Sequence, residues 1–478
     1  MPHIPSVAAF LDPANGYEPT EAERRLIAAC QKGEHCILSD ERPTGPTDAN
    51  VVRADLIRLL ILGGTKDCGL HESGVWLEGG WVTGMLDLSH SIGRGKLVLD
   101  EAIFEKALVL SYAQFDQVSF VRSKLPGLHA ECLQVKHNLS FAGAMIRGCI
   151  NLMNAVVGGQ ISLTGANLDA GGTHAVLKAQ GLRAGSLIFR DIRESNGAIE
   201  LVSAHVSDLV DEPKSWNQFA GKIHLIGFSY DRLVDVWKTK ERLNWLASLK
   251  GVHFSPQPYT QLAKTLAAMG HNRAARRVLY EREEILGQEQ LREGRKKLSE
   301  LWRGSRGDSA AAQEVRADIG EHWCRMRFWQ ATHWLFGRVV GHGYLPERAL
   351  IVSLKVLTVA TLGYFIVWRA GGMVPNSDVV MTSAQWAQAM AENPAAPAHA
   401  WEHLGAGQHY ETFNAFAYAA DVFVPLFDLG QESAWAATTA NFLGTMAWGA
   451  KWLLQGMGWL VSALGVAAIT GIMQKDRD

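Results

Sequence analysis

The chain has 478 residues, enough for two or three domains. Its formal net charge is −2, so no global field draws it toward nucleic acid, and no nucleic-acid partner is expected. Six scattered cysteines (Cys30, Cys36, Cys68, Cys132, Cys149 and Cys324) form no C-x-x-C pair, which argues against a disulfide framework or a cysteine-rich zinc site and for reduced thiols on the cytoplasmic side.

The opening MPHIPSVAAFLDPANG has no basic segment followed by an apolar core, so a cleaved signal peptide is not expected. A helix should begin at PTEAERRLIAAC, where Thr20 and Glu23 form a capping box. A second helix is expected from a cap at Asp48 to the stop at Gly63 and Gly64. Together these make a helical cap over 1–66 that covers the first edge of the neighbouring strand-rich domain.

From 67 to 235 the pattern changes to short alternating strands: GMLDLSHSI, GKLVLDEAIF, KALVLSYAQF, HNLSFAGAMI, GCINLMNAVV, GQISLTGANL. Each has an L-x-L-like core and then a small residue two places before an apolar one. The small residues are Ala102, Ala113, Ser123, Ala144, Ala155 and Ala166. A period near ten, or about twenty per full coil, marks a stacked solenoid. One short strand cannot bury its own apolar row, whereas stacked coils build a continuous core. Only a small residue fits the tight corners. The irregular spacing between Leu125 and Val135 predicts a bulged coil. His90, His129 and His205 share no motif and are expected at surfaces or corners.

A helical connector is expected over 236–320. PYTQLAKTLAAMGHNRAARRVLYEREEIL predicts two antiparallel helices, Pro258 to Met269 and Asn272 to about Leu286, turning at Gly270. The stretch WCRMRFWQATHWLFGR mixes aromatics with arginines, so 321–345 is expected to be a helix lying at a membrane interface.

Two runs are long enough to cross a bilayer, Ala349 to Trp368 and Trp452 to Met473. They define a transmembrane region over 346–478. Arg325, Arg327, Arg338 and Arg348 precede the first span, Lys475 and Arg477 come after the second, and 370–450 carries no Lys or Arg. Retention of basic residues places both termini in the cytoplasm and the loop outside. Lys355 lies within the first span, where it either snorkels to the inner interface or pairs with an acid on a neighbouring helix.

Inside the loop, 411–435 is expected to be a re-entrant segment: an apolar helix from Asn414 to Val424, ended by Pro425, and then LFDLGQE. The helix is too short to span and carries Asp421. Span, short helix, loop, span is the plan of the tetrameric cation-channel pore, in which loop groups of four copies replace an ion's hydration shell. The pore candidates are Asn414, Asp421, Pro425, Asp428, Gln431 and Glu432, with Asp428 and Glu432 placed to form acidic rings in a homo-oligomer. No T-V-G-Y-G filter is present, and GHGY at Gly341 to Tyr344 precedes the first span on the wrong side.

The same loop contains HAWEHLGAGQH, where His399, His403 and His409 combine the H-x-x-E-H order of inverted zinc peptidases with metzincin spacing. The metzincin order needs Glu second, where Ala400 stands, and the inverted order needs a downstream Glu that the sequence does not identify. No catalytic residue and no cofactor is assigned. The three histidines remain weak metal candidates.

The L-x-L-x-x-A-x-I repeat, PYTQLAKTLAAMGHNRAARRVL, GYLPERAL and FNAFAYAADVFVPLFDLGQE together resemble a group of bacterial membrane proteins with a pentapeptide-like β-solenoid and a C-terminal two-span region. The resemblance covers most of the chain. It implies a right-handed β-helix with a helical cap, a helical connector and a helical transmembrane region. Relatives often carry the name "membrane-associated oxidoreductase"; the chain has no dinucleotide fingerprint after a strand, no C-x-x-C and no haem-attachment motif. Pentapeptide-repeat proteins that end in channel-like regions are a looser likeness, which favours a pore by analogy. The leading expectation is a homo-oligomeric pore in the inner membrane with a cytoplasmic solenoid that senses or scaffolds. The alternative is a membrane-anchored platform that binds a cytoplasmic ligand or protein without transport, and a third reading is a metal-dependent membrane enzyme.

Overall fold

The computed structural model describes residues 6–12, 14, 18–63, 69–171, 175–219, 221–235, 237–249, 254–304, 310–426 and 428–470. The chain divides into two compact units, Met1–Arg282 and Glu283–Asp478.

The first unit is a β-solenoid of about 7 turns. Among the described residues its strands stack into three long parallel sheets. In one, Leu97 pairs with Val118, Val118 with Leu139 and Leu139 with Ile161, so each coil takes about 21 residues. The expected corner residues Ala102, Ala113, Ser123, Ala144, Ala155 and Ala166 are all fully buried.

The corners hold a second regularity. The residue before each small one lies in the left-handed region, whether or not it is glycine: Glu101 and Arg122 continue as Gly143 and Gly165 along one corner, and Tyr112 and Cys132 as Asn154 along another. That backbone costs a non-glycine residue about 1–2 kcal/mol. Each corner offsets the cost by donating its N–H to the coil above, as Arg122 does to the Ala142 carbonyl at 2.8 Å and Asn154 to that of Gln180 at 2.8 Å.

The coil expected to bulge, Leu125 to Val135, is regular, with Lys124 and Leu125, Leu128 and His129, and Gln134 and Val135 all in register with their neighbours. Leu133 occupies the small-residue position there and is fully buried, which explains the missing alanine. The register slips instead between Val157 and Gln160, at Gly158 and Gly159.

Some glycines of one coil face a carbonyl of the next at close range. A methyl on Gly148 would overlap the Pro126 carbonyl oxygen of the preceding coil. Gly148→Ala should therefore destabilise the solenoid by about 1–3 kcal/mol, read as a lowered denaturant midpoint with an unchanged slope.

Helix α1, Glu21–Lys32, has the expected capping box, and Glu23 is buried beneath it with Arg53 at 2.6 Å. The second helix differs from expectation. Asp48 does not cap it; its carboxylate accepts from the Glu21 N–H at 3.3 Å instead. Val51–Arg53 is a strand paired with Trp81–Thr83, and helix α2 begins only at Ala54 and ends at Ile61. Cys36–Ile37 likewise pairs with Gly74–Glu78, so the cap supplies the first rung itself.

At the other end come α3 (Thr239–Ser248), then α4 (Gln257–Ala268), which packs on the last strand, Ser229–Leu233, and the start of α5 (Asn272–Gly304). Helix α5 runs well past the expected end near Leu286. The described cysteines, Cys30, Cys36, Cys132, Cys149 and Cys324, are all free; Cys68 lies outside the described residues.

In the second unit α6 (Ala310–Val339) runs back along α5, with His322 Nε2 3.2 Å from the Gly294 carbonyl oxygen. A tight turn leads into α7 (Glu347–Arg369), and α9 (Phe442–Ile469) closes the chain's described part. Between them the chain folds on itself. Met373–Pro375 pairs antiparallel with Trp435–Ala437, and α8 (Ala415–Phe423) packs against α7 and α9.

Candidate functional site

Helices α7 and α9 are long and apolar enough to cross a membrane, and only 11% and 22% of their most apolar stretches are buried within the chain. A soluble core helix of that composition would be mostly covered. Here Leu350, Val359, Leu453 and Ile469 are each at least 71% exposed. The second apolar helix begins at Phe442, ahead of the expected Trp452, and its expected end at Met473 lies outside the described residues, as do Lys475 and Arg477. Lys355 is exposed on α7 beside Val359 and Leu453, and no carboxylate within ion-pair distance is found for it among the described residues. Helix α6 presents Trp323, Phe328 and Trp334 outward, with Arg327 over the Trp323 ring at 5.4 Å and Arg338 over that of Trp334 at 5.9 Å.

The segment between the apolar helices is a packed subdomain. Trp368 at the end of α7 is its hub, ringed by Phe413 at 4.8 Å, Trp435 at 5.1 Å and His399 at 4.5 Å. Such pairs add stability beyond their buried area.

Most of the expected pore residues hold this subdomain together. Asn414 caps α8, accepting from the N–H groups of Phe416 and Ala417. Asp421 is 7% exposed and accepts from the Leu429 N–H at 2.7 Å and the Glu432 N–H at 2.8 Å. Pro425 stands just after α8 ends. Gln431 is buried; its Oε1 accepts from the Asn414 N–H at 3.0 Å and its Nε2 donates to Glu411 and Thr412. Glu432 pairs with Lys451 of α9 at 2.8 Å. Asp428 is exposed and closes its own turn, accepting from the Gly430 N–H at 3.0 Å. Gly458 makes the packing possible, because a methyl there would overlap the carbonyl of Phe423 at the end of α8.

The histidines of HAWEHLGAGQH are not brought together. His399 lies on the five-residue helix Pro397–Trp401 with its Nε2 buried, while His403 and His409 are exposed. Burial, opposed by the neighbouring His399, raises the Glu402 carboxyl above its ordinary range.

A recess of about 900 Å³ lies on the solenoid where the left-handed corner ladder passes through Gly143 and Gly165, two successive corner positions without a side chain. Arg42, Arg122, Arg193 and Lys214 line it, against Glu101 and Asp191. Arg122 pairs with Glu101, and Arg42 donates to the Arg122 carbonyl at 3.2 Å. The balance favours an anionic group. Sequence reading did not assemble these residues, since they come from different coils and share no motif. No family model matches the chain, and no curated protein or solved structure matches it.

Proposed function

We propose that the chain is an integral membrane protein of the bacterial inner membrane, with both termini cytoplasmic, whose two apolar helices anchor the solenoid as a binding platform. The observation that carries this reading is the uncovered apolar surface of α7 and α9, in the same chain as a solenoid with a cationic recess. The arginine-bearing face of α6 fits a helix at the inner interface. The coil of about 21 residues with small corner residues suits a pentapeptide-like, right-handed β-helix, as the resemblance implies. The recess would take an acidic segment of a cytoplasmic ligand or protein.

The platform reading is preferred to a pore because Asp421, Gln431 and Glu432 each have partners within one chain. One observation favours the pore as a second reading: Asp428 is exposed between Leu426, 82% exposed, and Leu429, 49% exposed, in the loop that follows a short helix. A homo-oligomer is required for that arrangement. Liposomes reconstituted with the full chain separate the two. The platform predicts no ion flux above protein-free liposomes, and no effect of Asp428→Asn. Flux whose ion selectivity changes in Asp428→Asn establishes the pore instead.

A further inference from the structure

Glu284, His333 and His342 meet at the turn that leads into α7. Their ligand atoms all lie within 4.8 Å of one another, the one such group of three His, Cys, Asp or Glu among the described residues. Glu284 comes from α5, His333 from α6 and His342 from the turn between α6 and α7. His342 Nε2 stands 3.2 Å from Glu284 Oε1, and the two histidine rings are 4.4 Å apart. Tetrahedral zinc with ligands at 2.0–2.2 Å separates neighbouring ligand atoms by about 3.3 Å. One pair already has that spacing, and the His333 ligand atom lies within 4.8 Å of both.

The backbone is shaped around these side chains. Gly341, His342 and Gly343 all have positive φ, at 55°, 55° and 89°. A histidine held there is strained, and strained backbone clusters at functional sites. Two glycines give the ligands room: a methyl on Gly287 would overlap the His333 ring, and one on Gly337 would press on Glu284 Oε1 and His342 Nε2. His333 is further fixed by stacking on Trp329 at 4.8 Å.

We propose that Glu284, His333 and His342 form a site for a divalent transition-metal ion of the zinc class. Two imidazoles and one carboxylate suit zinc and leave one coordination position for water or an exogenous ligand. The ion would tie α5, α6 and the start of α7 together where the chain turns into its first apolar helix. A plain Glu284–His342 ion pair beside a stacked His333 is the competing explanation.

The test uses the full chain in detergent, stripped with chelator and titrated with Zn²⁺ and then with Co²⁺. The site predicts one tightly held Zn²⁺ per chain, and visible cobalt bands of a four-coordinate site without thiolate charge transfer, since no cysteine is a ligand. His333→Gln should weaken binding by about 100-fold or more. The triple variant His399→Ala, His403→Ala, His409→Ala should keep both signals. Weak Zn²⁺ uptake by the wild-type chain, with only octahedral cobalt, overturns the proposal even if His333→Gln fails to fold. Loss of the signals in the outer-loop variant overturns it as well.

Discussion

Arg242→Ala is expected to destabilise the solenoid unit by about 3–5 kcal/mol, because it strands a buried carboxylate. The Arg242 and Asp211 side chains are 4% and 0% exposed. Arg242 grips Asp211 with both terminal nitrogens, at 2.6 and 3.0 Å, and its guanidinium lies 3.5 Å over the Trp237 ring. Trp216 donates its indole N–H to the same carboxylate at 2.7 Å. The cluster fastens α3 to the end of the strand His205–Asp211, while α4 covers the last strand, where Gln261 and Thr265 both donate to the Tyr230 carbonyl. Equilibrium unfolding measures the loss. Arg242→Met combined with Asp211→Leu should recover part of it, since no charge is then left buried. Arg232→Ala, which breaks an exposed pair with Asp208, should change little. Equal effects from the two arginines would contradict this account of how the solenoid is closed.

Asp421→Ala should open the segment Asp428 to Glu432 and cost about 2–4 kcal/mol, from two charge-assisted bonds to backbone N–H groups in a site with little water. Its two oxygens hold the amides of Leu429 and Glu432. With the clasp gone, Gln431 loses the fixed loop that keeps its three bonds near Asn414. The expected result is faster proteolysis confined to this loop, with a lower melting temperature. Asp421→Asn keeps one acceptor and should lie between wild type and alanine. Unchanged protease resistance in Asp421→Ala would show that the loop is held by something else. Altered conduction in Asp421→Asn would be read through this clasp before any role in a pore.

The solenoid was legible because its core imposes a period on the sequence. Small residues recur where two coils turn over one another, so Ala102 and Ala166 announce the fold. The left-handed positions beside them were not legible, since Arg122, Asn154 and Gly143 share a backbone state but no chemistry. Asp48 misled because an Asp before an apolar run is a common helix cap, yet pairing with Trp81–Thr83 claimed Val51–Arg53 first. The packing of the loop between the apolar helices was not legible because its apolar residues lie far apart in sequence. Trp368, Phe413 and Trp435 meet only after folding. The same separation hid Glu284, His333 and His342, while the compact histidine spacing of HAWEHLGAGQH drew attention to residues that do not converge.

The central claim is that α7 and α9 are membrane anchors. The most direct measurement is flotation of membranes from cells expressing the full chain, after washing at alkaline pH. An anchored chain floats with the lipid after the wash and leaves it only with detergent. A chain that stays behind as soluble protein would contradict the account, since the exposed faces of Leu350 to Ile366 and Phe442 to Ile469 would then need another cover.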